Sequence, residues 1–214
     1  MLKRVVVISS IFLLSITGPL HAQSTLHLVG IKSGITLAGL NTHPDLEYKS
    51  VASFGGYGVE YTYYHTLWGD IKLFGLKTGI YKDFGGYVQE EGENRFETIT
   101  IPLISQFHYD FWKMRALVNI GAFGGVRQNM SYWDGRGFDN EDNRVDLGFV
   151  AGGGLAFIFS PFELHIEGNW FYSLSYMHSP NKYDDIYYLF THPKRLVISA
   201  ALYLQFGKGR GGKN

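Results

Sequence analysis

Three groups of residues have side chains of the kind that carry chemistry. The first is a spread of charge through otherwise apolar or glycine-rich stretches: Lys32, Glu60 and Lys77, with Arg115 and Glu167 further on. Two lysines placed to flank one carboxylate form an ion-pair network, the arrangement that makes buried charge tolerable. The second is acidic: Asp134, Asp139, Glu141, Asp142 and Asp146. Their oxygens are of the type that holds Ca²⁺, but the spacing lacks the alternating ligands and terminal Glu of an EF-hand, so solvated loop charge is the better reading. The third is His178-Ser179, a base beside a hydroxyl. Neighbours in an extended strand point to opposite faces, and Pro180 follows, so the pair is poorly placed for nucleophilic catalysis.

Other chemistries are excluded more simply. The 214 residues contain no Cys, which removes thiolate catalysis, disulfide scaffolds and Cys-based zinc sites. Lys and Arg total 19 against 19 Asp and Glu, so there is no basic excess to displace counterions from nucleic acid. Gly135-Arg136-Gly137 and Gly152-Gly153-Gly154 follow no strand-to-helix transition, so no phosphate cradle and no cofactor is indicated. Mean hydropathy near zero rules out a bundle of membrane helices. The oddity is 27 Gly together with 16 Phe, 15 Tyr and 4 Trp. Glycine-rich disorder is poor in aromatics, so this chain is ordered.

The chain opens with basic Met1-Leu2-Lys3-Arg4. A run from Val5 to Ile16 follows, apolar but for Ser9, Ser10 and Ser15, then Gly18-Pro19 and Leu20-His21-Ala22. This is the order of a cleaved export signal, too short in its apolar part to span a bilayer. Three regions follow from it: a signal peptide over 1–22, one domain over 23–206, and a basic tail over 207–214. Losing Lys3 and Arg4 leaves the exported chain two charges negative.

Period-2 alternation dominates the domain, with no sustained 3.6-residue period. It predicts eight strands: 26–37, 51–65, 70–82, 96–109, 114–127, 145–159, 163–174 and 195–206. The connections alternate between short (66–69, 110–113, 160–162) and long and polar (38–50, 83–95, 128–144, 175–194). Long loops at one end of a meander are the mark of an outer-membrane barrel. Ten residues at about 3.3 Å, tilted by roughly 40°, rise about 25 Å, the height of its apolar band. Sheet edges in lipid have no partners, so the sheet must close, and eight strands enclose only enough space for side chains. The expected fold is therefore all-β: an eight-stranded antiparallel up-and-down transmembrane barrel with short periplasmic turns and four long outside loops.

The phase of the alternation sorts the residues. Gly30, Gly34, Gly58, Gly75, Gly79, Gly121, Gly125, Gly148, Gly152 and Gly154 fall on the inward face. Lys32, Glu60, Lys77, Arg115, Asn119, His165 and Glu167 share that face, and of these Lys32, Glu60, Lys77, Arg115 and Glu167 are the expected lumen charge network. Aromatics near the segment ends (Tyr61, Tyr63, Tyr64, Trp68, Tyr109, Phe111, Trp112, Phe157, Phe159, Phe162, Trp170, Tyr172) are expected in interfacial girdles. Pro102, inside the fourth strand, removes a ladder hydrogen bond and is expected to mark a bulge.

Several stretches resemble the PorT-like family of eight-stranded outer-membrane barrels, common in Bacteroidetes. They are Gly30–Thr36 (GIKSGIT), echoed at Gly75–Ile80; Thr100-Ile101-Pro102-Leu103; Ala116–Gly121; Asp146–Gly154; and Leu164-His165-Ile166-Glu167. The resemblance covers nearly the whole exported chain and implies an outer-membrane location without enzymatic activity. Where such proteins often have Arg-Tyr after the strand-seven Glu, this chain has Asn169-Trp170, so an Arg–Glu lumen pair is expected to be missing there. One member is associated with a protein secretion machine, a role that fold likeness does not transfer.

The reading is a non-enzymatic outer-membrane protein, a structural or adhesion/assembly component. Its partners would be outer-membrane lipid and proteins met through the outside loops, above all the stretch 175–194 with Tyr176, Tyr183, Tyr187, Tyr188 and Phe190. Two alternatives stand beside it: an outer-membrane enzyme modifying lipid A near His178, and a soluble periplasmic lipocalin-like binder.

Overall fold

The computed structural model describes residues 26–46, 48–67, 71–89, 92–182 and 188–206. The signal segment 1–22, the tail 207–214, Trp68, Tyr183 and Tyr187 lie outside them. The strands are β1 (Leu26–His43), β2 (Lys49–Leu67), β3 (Ile71–Gln89), β4 (Gly92–Phe111), β5 (Met114–Ser131), β6 (Val145–Phe159), β7 (Phe162–Ser173) and β8 (Phe190–Phe206). Each pairs antiparallel with the next, and β1 pairs with β8, so the sheet closes as a barrel. No helix is long and apolar enough to cross a membrane among the described residues.

The eight alternating stretches and their inward phase correspond to these strands, but the ends differ. Residues 38–43, 83–89 and 92–95 belong to strands rather than to loops. Sequence reading stops a strand where its outward residues turn polar. The ladder has no such requirement, and above an apolar band the outward Asn41, His43, Glu93 and Arg95 simply face water while Ala38, Leu40, Thr42 and Asn94 stay buried. Of the segments expected to be long loops, 132–144 and 174–189 remain long, whereas β1 and β2 are joined through 44–48 and β3 and β4 almost directly. At the opposite end, β4 turns into β5 through Trp112 and Lys113, with Trp112 at the left-handed φ of 55° that reverses the chain.

The barrel is inverted in polarity relative to a water-soluble one. Ile31 is 67% exposed, Ile80 60% and Phe149 59%, while Glu60 and Lys77 inside are each 1% exposed. A lipocalin keeps its apolar residues inside, so this distribution runs against the soluble-binder alternative. Small side chains make room in the interior. A Cβ at Gly30 would lie 2.5 Å from the Tyr203 ring, and one at Gly58 would lie 2.5 Å from the Tyr81 ring. Gly55, at φ +91°, is the extra residue between the pairs Gly34↔Gly56 and Ile35↔Phe54, a bulge that only glycine accommodates without strain.

Pro102 behaves otherwise than expected. The β3–β4 register is the same on either side of it, from Thr78↔Leu103 to Tyr81↔Thr100, so no residue is inserted; the ladder merely lapses between those pairs. The Thr78 hydroxyl donates to the Pro102 carbonyl at 2.8 Å, and Pro102 keeps its place opposite Phe123 of β5. A proline in a closed wall can thus be absorbed by losing pairs on one side.

The lumen and the loop cover as candidate functional site

Alternation in the eight strands aims every second side chain into the interior, and these side chains sort into layers. Nearest the short turns, the Arg115 guanidinium binds Asp110 (2.5 Å) and Glu163 (3.1 Å) and lies 4.4 Å from the Tyr64 ring centre. Glu163 also meets the His165 imidazole at 2.9 Å and accepts from the Gln205 amide at 2.8 Å.

At mid-height, Glu60 lies between Lys32 (3.4 Å) and Lys77 (3.5 Å). Tyr81 donates to its carboxylate at 2.6 Å, and the Tyr203 hydroxyl donates to it as well. Lys77 reaches on to Glu167 at 2.7 Å, and Glu167 accepts from Asn119 (2.7 Å) and Asn169 (3.1 Å). Gln106 joins the same layer, donating to Asn119 at 2.9 Å and accepting from Tyr64 at 2.5 Å. The echoed motif explains the symmetry: Gly30-Ile31-Lys32 and Gly75-Leu76-Lys77, on the two neighbours of β2, present one lysine each to the glutamate between them.

The structure therefore places Lys32, Glu60, Lys77 and Glu167 in one chain of contacts, and sets Arg115 in a separate cluster nearer the turns. His165 bridges the two, with 3.4 Å between its Nδ1 and Glu167. Asn169 removes an arginine from beside Glu167, and Lys77 supplies the cation. An Arg–Glu pair exists all the same, formed by Arg115 and Glu163. Tyr64, expected in a girdle, points inward and is 5% exposed. Tyr61, Tyr109, Phe111, Trp112, Phe159, Phe162 and Trp170 do face outward.

Above an apolar layer of Ile104, Phe123, Val150, Phe171 and Val197 lies a cluster that sequence reasoning missed. Asp146 accepts from Arg127 (3.0 Å) and Arg195 (2.9 Å), and Arg195 also donates to the Thr100 hydroxyl (3.0 Å). The Arg195 guanidinium is 5.0 Å from the Phe123 ring and 4.9 Å from the Phe171 ring. The signal was available: Arg127 continues the inward phase of Arg115, Asn119 and Phe123, and Arg195 that of Val197 and Ser199. Asp146 was grouped with loop acids, yet it is fully buried.

Loop 132–144 and residues 174–182 of the second long loop close over this end together. Below them sits an apolar cluster of Ala38, Leu40, Tyr87, Phe96, Met130, Tyr132 and Met177. Lys182 binds Asp142 (2.6 Å) and Asp139 (2.7 Å), while backbone bonds Asn143 N–H to Met177 C=O and Ser179 N–H to Glu141 C=O stitch one loop to the other. Of the acidic residues weighed for Ca²⁺, Asp134 pairs with Arg136, Asp139 and Asp142 share Lys182, Asp146 has two arginines, and Glu141 is exposed. Among the described residues no group of three or more His, Asp or Glu is placed to hold a metal. His178 is buried beneath the loops, its ring nitrogens meeting the Ser179 carbonyl (3.2 Å) and the Thr191 hydroxyl (3.4 Å). Burial holds the imidazole below its ordinary pKa. The Lys182 ammonium holds the Asp139 carboxyl below its ordinary range.

No family model and no curated protein matches the chain. Solved structures do. Neisserial surface protein A is 10% identical with a TM-score of 0.50, over 85% of this chain and 97% of that one. The outer membrane protein OprG of Pseudomonas aeruginosa is 8% identical (TM-score 0.47, 88% and 98% covered). The outer membrane protease OmpT of Escherichia coli is 10% identical (TM-score 0.37, 86% and 97% covered). At such identity the likeness to the neisserial protein concerns fold alone. The chain has the eight-stranded, antiparallel, up-and-down fold of outer-membrane β-barrels, with ionised side chains inside and apolar ones outside.

Proposed function

We propose that this chain is a non-enzymatic outer-membrane β-barrel, a structural or adhesion/assembly component whose lumen is plugged and whose outer loops make its contacts. The observation that carries the reading is the union of loop 132–144 with residues 174–182 of the second long loop over an interior lined by paired side chains. A pore would need a water-filled path; here layers of charge alternate with apolar layers, and ion pairs held by several hydrogen bonds resist displacement. The PorT-like resemblance supports the same location and lack of enzymatic activity. The loop surface offers exposed Trp133 and Tyr188 and half-exposed Tyr176, residue types favoured in recognition.

The test is affinity isolation from gently solubilised outer membranes, using the intact chain and a variant carrying Trp133→Ser, Tyr176→Ser and Tyr188→Ser. A protein recovered with the first and lost with the second is the expected result. The same proteins recovered with both would contradict a role for the loops. Lipid A profiled by mass spectrometry is expected to be identical with and without His178→Ala.

A further inference from the structure

The wall of the barrel is not uniformly laced. Between the pairs Ser50↔Tyr87 and Tyr57↔Lys82, β2 and β3 exchange no ladder pair. Both strands stay paired on their far sides, β2 to β1 from Val51 to Gly56 and β3 to β4 from Asp83 to Gly86. The result is a seam bounded by 51–56 and 83–86, with Gly55 and Gly56 on one lip and Gly85 and Gly86 on the other.

A cavity of about 760 Å³ lies at this seam. Outward-facing Ala52, Phe54 and Phe84 line it, but so do Phe96 and Met130, which belong to the buried apolar cluster beneath the loops. A Cβ at Gly85 would sit 2.6 Å from the Phe96 ring, so the missing side chain is what keeps the two sides in communication. The outward rim of the cavity is polar, with Arg95, Glu97 and Asn129. Its height is telling. Going up β4, outward residues pass from Leu103, Ile101 and Ile99 to Glu97 and Arg95, which is where hydrocarbon gives way to headgroups on a membrane barrel.

We infer that the β2–β3 seam is a lateral binding site for the acyl tail of a lipid from the surrounding leaflet, the tail entering toward Phe96 and Met130 and the headgroup resting at the Arg95–Glu97–Asn129 rim. An apolar interior with a polar mouth at that depth complements an amphiphile in the orientation the bilayer already imposes on it. The apolar cluster under the loops then has a neighbour in the membrane rather than in the outside medium. This inference rests on the membrane reading of the preceding subsection.

The test uses the full chain reconstituted in vesicles of phosphatidylcholine doped with a phosphatidylcholine that carries a diazirine at an acyl terminus. Adducts are mapped by peptide mass spectrometry after irradiation. Expected are adducts on outward Ile101 and Phe149 and also on inward Phe96 and Met130. Gly85→Leu is expected to reduce the inward adducts at least fivefold and leave Phe149 unchanged. Ala52→Trp, which obstructs the mouth from the other lip, should do the same and decides the matter if Gly85→Leu does not fold. Adducts confined to outward residues would overturn the lateral site and leave the membrane reading standing, as would inward adducts indifferent to both substitutions. No adduct on Ile101 or Phe149 would overturn both.

Discussion

Glu60 shows how an eight-stranded barrel tolerates charge: its carboxylate has Lys32, Lys77, Tyr81 and Tyr203 around it, contributed by four other strand positions. A buried pair is weak evidence for net stability, but removing one partner leaves an uncompensated charge. Lys77→Met, which strips a cation from both Glu60 and Glu167, should therefore destabilise the barrel by about 3–5 kcal/mol in a urea titration of the detergent-folded protein. An unchanged midpoint would mean that Lys77 does not compensate the buried carboxylates of Glu60 and Glu167. Glycine positions act by absence. Gly30→Val must displace the Tyr203 ring and should cost about 1–3 kcal/mol by the same measurement. Both side-chain sets were legible from alternation alone, because a period of two assigns faces without knowing neighbours. The partners of the other inward charges were not legible: Arg115 with Glu163, and Asp146 with Arg127 and Arg195, depend on register across the closed ring. Tyr64 was misplaced for a related reason. Nearness to a strand end predicts an interface aromatic, but the phase of Glu60 and Thr62 already pointed it inward.

At the scale of elements, existence and order of strands could be read while their ends could not. Outward polarity reads as the onset of a loop, although β1 and β4 keep their ladders well past it. The lapse at Pro102 and the seam at 51–56 leave β3 less firmly held than its neighbours, on one side at each of two heights. Amides of 83–86 whose β2 partners are missing should exchange with solvent deuterium faster than those of β7, which is paired continuously with β6 and β8. Equal protection would contradict the open seam. The loop cover has a pH dependence of definite sign. His178 is held below its ordinary 6.5 by burial, so the opened loop takes up protons first and closure weakens as pH falls below that value. Asp139, held below its ordinary 3.8 chiefly by Lys182, adds a further loss only in stronger acid. Protection of the Asn143 and Ser179 amides should accordingly fall between about pH 7 and about pH 5, after correction for intrinsic exchange, and His178→Asn should flatten the change.

At the scale of the molecule, the abundance of glycine beside aromatics resolves into positions: glycine where interior side chains cross, and most aromatics on the outward face or at the loops. The balanced charge resolves into paired layers. The proposed plugged lumen should carry no steady current, and planar-bilayer recordings of the purified chain are expected to stay at baseline; regular single-channel steps would contradict that proposal. The closed sheet turns its apolar face to the membrane. The most direct measurement is a boiled-versus-unboiled gel of fractionated cells. The chain is expected in the outer-membrane fraction with a heat-dependent mobility shift. A soluble chain migrating identically before and after boiling would contradict it.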